Sequence, residues 1–218
     1  MEEIMWGRES LEQDEQALEE SRKVLEGGGV IVFPTDTIYG LGAKAVDEAA
    51  IRQVYRIKGR EEGKPVSILV RDMKMARRVA CIDSRAEQIL EKVWPGSVTV
   101  VLRKKDLIPY ALTAGGESVA VRISDHPFVE ALFGRIDFPI TATSANISGK
   151  PDLYSAEEIR SAFQDAKNAP DLFINAGDLK RPLPSTIIDL TDVNNPRLLR
   201  MGAVGKDKLG EFFKNIIG

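Results

Sequence analysis

The sequence predicts one α/β domain built on a twisted mixed β-sheet flanked by helices. Short apolar strands and amphipathic helices are intermixed along the whole chain, and no internal repeat or low-complexity linker divides it. The composition, 43% hydrophobic and 29% charged over 218 residues, is that of a globular protein able to bury a sizeable core. Length alone admits one large domain or two small ones. The unbroken mixing of elements makes residues 1–218 a single domain.

Taken in order, Ser10 with Gln13 forms a capping box that opens a helix ending at Gly27–Gly29. The run Val30–Phe33 predicts a buried strand, stopped by Pro34. Asp47 is an N-cap for a helix through Ile57, with Ala50, Ile51, Val54, Tyr55 and Ile57 on one face and Gly59 at the C′ position. Val66–Val70 is a second apolar strand. Asp83 caps a helix to Trp94, and Pro95-Gly96 turns into the strand Val98–Leu102. Ser118–Arg122 follows as a strand, Pro127 starts a short helix, and Pro139–Ala142 is a strand leading into Thr143-Ser144-Ala145-Asn146. Ser155 and Glu158 form another capping box for a helix to about Lys167. The strands Leu172–Ile174, Thr186–Leu190 and Leu198–Arg200 precede a helix from about Asp207.

Composition also excludes. With a formal charge of -3, the whole-molecule field does not mark a nucleic-acid binder, so bound phosphates require a local concentration of cations. Cys81 and His126, the sole cysteine and histidine, are too few for a disulfide framework or a structural zinc site. Between Val79, Ala80 and Ile82, Cys81 reads as a half-buried core thiol. The N-terminus MEEIMWGRES lacks the basic and apolar regions of a secretory signal, and no stretch approaches the ~18 apolar residues of a membrane span. The chain therefore reads as cytoplasmic, and Asn146-Ile147-Ser148 carries no meaning as a glycosylation acceptor.

Gly59–Lys64 superficially resembles a phosphate-binding P-loop. It has three residues between its glycines where four are needed, Pro65 where a hydroxyl should follow, and a helix rather than a strand before it. Gly40-x-Gly42-x-x-Ala45 fits a loose dinucleotide fingerprint, but Pro34–Tyr39 separates it from the strand and Asp47 opens the next helix too late. A conformational role suits these glycines better. The cluster Arg56, Lys58, Arg60 and Lys64 reads either as a solvated helix end that complements the dipole or as a set of loop cations able to wrap a triphosphate. Two hydroxyl-rich segments, Pro34–Thr37 and Thr143–Gly149, follow predicted strands, where open α/β sheets bind ligands. Arg122 closes an apolar strand and needs a carboxylate partner or solvent.

Together these segments resemble the YrdC/Sua5 family of threonylcarbamoyladenylate synthases. The resemblance rests on FPTDTIYGLGAKA (33–45), IKGREEGKP (57–65), WPGSVTVVL (94–102), SVAVRISDHP (118–127), ITATSANISGKP (140–151), PSTIIDL (184–190) and RLLRMGA (197–203), in family order within a motif-bearing core of about 20–203. It implies a YrdC/RibB-like fold with a large, basic, concave cavity, in the short form without the extra C-terminal domain of Sua5. It also implies a nucleotidyltransferase that joins L-threonine, bicarbonate and ATP, with Mg2+, into threonylcarbamoyl-AMP and pyrophosphate for t6A modification of tRNA position 37.

By the resemblance, Lys58 and Arg60 are the catalytic pair. Lys58, Arg60, Lys64, Ser118, Ser144, Asn146 and Arg200 bind the nucleotide, and Thr35, Leu69, Arg122, Ala142 and Ser185 surround the threonine. No protein metal ligands are implied. A downstream tRNA threonylcarbamoyl transferase is the implied partner, with tRNA or double-stranded RNA as a further contact. The family's PGP turn is Pro95-Gly96-Ser97 here, a departure expected to relax a turn and remove no chemical group. The 57–65 loop is the expected lid over a labile mixed anhydride. The competing readings are a double-stranded RNA-binding module without catalysis, and a carbamoyl-adenylating domain of the hydrogenase-maturation kind. The accompanying acylphosphatase and zinc-finger segments of the latter have no room here.

Overall fold

The structure is a computed structural model that describes residues 1–7, 10–61, 63–164, 166–180 and 183–212. Glu62 of the expected lid loop lies outside the described residues. The elements in chain order are β1 (Glu2–Met5), α1 (Leu11–Glu26), β2 (Ile31–Phe33), β3 (Gly40–Gly42), α2 (Glu48–Lys58), β4 (Ile68–Leu69), α3 (Met73–Val79), α4 (Ser84–Val93), β5 (Val98–Arg103) and α5 (Tyr110–Thr113). Then come β6 (Ser118–Arg122), α6 (Pro127–Phe133), β7 (Ile140–Thr141), β8 (Thr143–Ser144), α7 (Ala156–Phe163), β9 (Leu172–Asn175), β10 (Thr186–Asp189), β11 (Arg197–Arg200) and α8 (Lys206–Phe212).

The strands form two mixed sheets, not the one expected. The first has the order β1-β9-β2-β3-β8 and the second β11-β10-β5-β6-β4-β7. They part company at Ala142. The strand expected over Pro139–Ala142 is β7, which pairs antiparallel with β4, and the hydroxyl-rich segment after it forms an unexpected strand, β8, antiparallel with β3, with this single residue between the two. Strand propensity is continuous across that point, so nothing local announces the switch.

Helix ends follow local chemistry. Ser10, Asp47, Asp83 and Ser155 each accept backbone N–H bonds as N-caps, and Ser155 completes a capping box with Glu158. Gly59 ends α2 in the left-handed conformation, φ 55°. Helix α7 stops at Phe163, short of Lys167, where its buried face of Ala156, Ile159 and Phe163 is complete. Helices α3 and α5 and strand β1, of 7, 4 and 4 residues, are too short to show a period in sequence. β1 buries only Ile4 and exists because it pairs in parallel with β9.

Strand β2 is buried on both faces, which is why it reads as an unbroken apolar run. Ile31 and Phe33 join the larger core, with the inward faces of β5 and β6 and helices α4 and α6, while Val32 joins a smaller core with α2, α7 and Phe173. Strand β3 contains Gly40 and Gly42, for which the sequence suggests a conformational role. Neither glycine has a positive φ; a Cβ at Gly40 or Gly42 would come within 3.2 or 2.8 Å of the Phe33 ring. Close approach, not conformational freedom, requires glycine there. Cys81 is exposed, not half-buried, because Ala80 turns inward and an extended chain alternates its side chains. No helix among the described residues is long and apolar enough to cross a membrane.

Candidate active site

A cleft of about 390 Å³ opens between the two sheets. On β5, β6 and β10, alternation sends Val98, Val100, Leu102, Val119, Val121 and Ile188 into the core and presents Thr99, Val101, Ala120, Arg122 and Ile187 to the cleft as its floor. The first sheet contributes Thr35, Thr37 and Ile38 from the segment after β2, with Gly40 and Ser144, as the facing wall. Among the described residues, three arginines, Arg60, Arg122 and Arg200, and one carboxylate, Asp152, line the cleft.

All five residues assigned to threonine, Thr35, Leu69, Arg122, Ala142 and Ser185, line this cleft. Thr35 Oγ1 accepts from the N–H of Thr37 (3.1 Å) and Ile38 (3.2 Å), which fixes the turn after β2. It also lies 3.0 Å from Thr37 Oγ1. Ser185 Oγ meets Thr99 Oγ1 at 2.8 Å.

Arg122 is 6% exposed and has found the carboxylate its position demands. Its Nη1 donates to both oxygens of Asp36, at 3.1 and 3.0 Å, and to Thr37 Oγ1 at 3.4 Å. Nε and Nη2 take no partner among the described residues. Burial pulls the guanidinium below its usual value while Asp36 and Asp125 hold it up. Burial pushes the Asp36 carboxyl up, but Arg122 and the hydroxyls of Ser124 and Ser97 together hold it below the usual carboxylate range.

Of the residues assigned to the nucleotide, Arg60, Ser144 and Arg200 line the cleft. Arg60 donates from Nη2 to the Pro65 carbonyl (3.1 Å), and its buried Nε has no hydrogen-bond partner among the described residues. Arg200 folds against Ser185, with Nη2 2.7 Å from the Ser185 carbonyl. Burial lowers its pKa against the pull of Asp152. Ser118 shares the exposed face of β6 with Ala120 and Arg122 but lies four residues, about 13 Å, further along the strand. There it borders a second, shallower depression with Arg103 and Lys104. Lys64 is exposed and off the cleft wall.

Lys58 corrects the sequence reading. It is neither a solvated helix end nor a free loop cation, being 2% exposed. Its Nζ donates to the carbonyls of Ser144 (2.5 Å) and Asn146 (2.8 Å) and to Asn146 Oδ1 (3.0 Å). Asn146 Oδ1 also accepts from Ser144 Oγ (2.6 Å), and its Nδ2 donates to the Lys150 carbonyl. The last turn of α2 is thereby pinned to the 144–150 turn, with Ser148 N–H closing on the Lys58 carbonyl at 2.8 Å. Burial, aided by Arg60 and opposed by Asp152, pulls the ammonium down to about 8. An ammonium has three protons, and three oxygens take them.

Sequence reasoning did not name Ser67, Thr99 or Asp152 among the cleft's polar groups, nor did it pair Asp36 with Arg122. A signal for Asp36 existed, since Arg122 called for a carboxylate and Asp36 lies in the hydroxyl-rich segment already singled out.

The family described as Sua5_yciO_yrdC, telomere recombination, matches residues 23–202. The threonylcarbamoyl-AMP synthase of Pyrococcus abyssi is 36% identical over 84% of this chain, and the chain spans only 53% of that relative. The threonylcarbamoyl-AMP synthase of Chromobacterium violaceum is 36% identical over 78% of this chain and 86% of its own length. Among solved structures, that of P. abyssi Sua5 complexed with L-threonine superposes with a TM-score of 0.88 at 31% identity, covering 99% of this chain and 61% of that one. A family match over most of the sequence, and a cleft that gathers the segments responsible for it, place the chain in the Sua5/YciO/YrdC family.

Proposed function

We propose that this protein is an L-threonylcarbamoyladenylate synthase, supplying the activated intermediate for t6A modification of tRNA position 37. The observation that carries the reading is the cleft itself. A buried arginine with two nitrogens unpartnered among the described residues stands among threonine and serine hydroxyls, and two further arginines line the same cleft, one with an orphaned buried donor among the described residues. The first arrangement suits an amino-acid carboxylate and the second a polyphosphate.

The chemistry asks little acid–base work of the protein. The threonine amine and bicarbonate condense to a carbamate with loss of water. A carbamate oxygen then attacks the α-phosphorus of ATP, forming the mixed anhydride as the bond to pyrophosphate breaks. The nucleophile is already anionic, so the protein's contribution is alignment and charge neutralisation. Arg122 holds the carboxylate, Arg60 and Arg200 face the phosphates, and Ser144 lies beside them. The apolar wall of Leu69 and Ala142 packs the substrate methyl. Lys58 acts one step back, by holding the Ser144–Asn146 turn.

A magnesium ion would arrive with the nucleotide and neutralise phosphate charge. Among the described residues no group of three or more His, Cys, Asp or Glu gathers. That fits an ion ligated chiefly by phosphates and water, with Asp152 the available cleft carboxylate. Pyrophosphate release measured with each substrate omitted in turn tests the proposal. Release only when threonine, bicarbonate and ATP are all present is expected, and ATP consumption without threonine would refute it.

A further inference from the structure

The turn residue that departs from the family pattern has a contact that local sequence did not announce. Ser97 Oγ donates to Asp36 Oδ2 at 2.6 Å, and Ser124 Oγ donates to Asp36 Oδ1. Ser124 in turn accepts the His126 N–H (3.3 Å) at the entry to α6. Both oxygens of Asp36 are thus held by hydroxyls from second-sheet loops, one between α4 and β5 and one after β6, while Asp36 itself follows β2 in the other sheet.

The contact between Asp36 and Arg122 is unusual for such a pair. Both carboxylate oxygens share one nitrogen, Nη1, in place of the two-nitrogen fork that a carboxylate and a guanidinium normally form. The Nε–Nη2 edge is the other two-donor edge of the planar group. It remains without a partner among the described residues, on a residue that lines the cleft.

We propose that Asp36, locked by Ser97 and Ser124, is a positioning residue that holds Arg122 by one nitrogen and so presents the opposite edge to the carboxylate of the amino-acid substrate. The inference rests on the synthase reading for the identity of that substrate. Ser97 is then a component of the site, where the family's proline has no hydroxyl to offer. Two effects compete in sign. As a bare countercharge Asp36 would repel the incoming carboxylate, and its neutralisation would tighten binding. As an anchor its loss frees the guanidinium to rotate, which weakens binding.

Calorimetric titration of wild type, Asp36→Asn and Ser97→Ala with L-threonine and with L-threoninamide, which lacks the carboxylate, separates the two. The KM values for threonine and ATP give the parallel kinetic readout. Loss of a charge-assisted anchor should weaken L-threonine binding to Asp36→Asn by about tenfold or more, and loss of one hydroxyl bond should weaken it in Ser97→Ala by about threefold. The ATP KM and the threoninamide affinity should stay within about twofold of wild type. Unchanged or tighter L-threonine binding in Asp36→Asn overturns the inference. So does a rise of both KM values together with a fall in melting temperature, which marks a scaffold residue. Should Asp36→Asn not fold, Ser97→Ala, which leaves the ion pair intact, decides alone by the same criteria. Failure of wild type to bind threonine would remove the synthase reading as well as this inference. A silent Asp36→Asn in a threonine-dependent enzyme removes only the inference.

Discussion

Replacing Lys58 by alanine should cost fold stability first and activity as a consequence. The substitution leaves the carbonyls of Ser144 and Asn146 without their Lys58 donor, whereas Asn146 Oδ1 keeps its bond from Ser144 Oγ. One buried and one part-buried acceptor left unpaired cost about 1–3 kcal/mol each, the part-buried Ser144 carbonyl at the lower end. Three buried methylenes removed from water-free packing add about 2.4 kcal/mol. Against this, the buried ammonium is itself under pressure: a fall from the usual 10.5 to about 8 corresponds to about 3 kcal/mol at about 1.4 kcal/mol per pH unit, and alanine escapes it. The balance is a loss of about 3 kcal/mol. At about 2–4 °C per kcal/mol for a protein of this size, the melting midpoint should fall by about 6–12 °C. Lys58→Met keeps the stem and should lose roughly a third as much. Thermal denaturation followed by circular dichroism, with the ATP KM measured on the same preparations, checks this. A midpoint within about 2 °C of wild type combined with abolished activity would refute the argument and make Lys58 a direct phosphate ligand.

Two further outcomes follow from the geometry. Arg122→Lys retains the charge but not the two-donor edge, so threonine affinity should drop by about 1.5–3 kcal/mol, roughly ten- to a hundredfold, with ATP affinity little changed. Titration of each ligand reads this out, and unchanged threonine affinity with a large fall in melting temperature would make Arg122 purely structural. His126 Nδ1 accepts the Phe128 N–H at the start of α6 (3.2 Å), and burial lowers its pKa from 6.5 against Asp36 and Asp125. The folded state therefore binds fewer protons than the unfolded chain between its lowered value and 6.5. Stability should rise with pH across that window and be lost on acidification below 6.5. Asn at 126 caps without titrating, so His126→Asn should flatten this slope in denaturant midpoints measured from pH 7 to pH 5, and an unaltered slope would rule His126 out as its source.

What sequence reveals here divides by range. Ser10, Asp47, Asp83, Ser155 and Gly59 bond to groups within five residues of themselves, and each was legible at its position. The residues assigned to threonine came from the ordered motifs, and the cleft brings all five of them together. Lys58 misled because its partners lie 86 and 88 residues away; a cation at a helix end looks solvated until the turn that covers it is in place. The pairing of Asp36 was overlooked for the same reason, its arginine also being 86 residues distant. Gly40 and Gly42 depend on a ring carried by the neighbouring strand, which no local pattern records.

The link at Ala142 sets a mechanical limit on the molecule. Strands β7 and β8 belong to opposite sheets with one residue between them, and the chain after β3 also bonds to β7, with Thr141 N–H on the Ala43 carbonyl (2.8 Å) and Ala45 N–H on the Pro139 carbonyl (2.9 Å). Ala142 is itself clamped, its N–H on the Ser67 carbonyl (2.8 Å) and its carbonyl under Ser67 Oγ (2.9 Å). The sheets cannot swing apart here like the halves of a clam without breaking the bonds that tie the chain after β3 to β7. The gap between them behaves as a fixed gauge, and a ligand is measured against walls whose spacing was set when the chain folded.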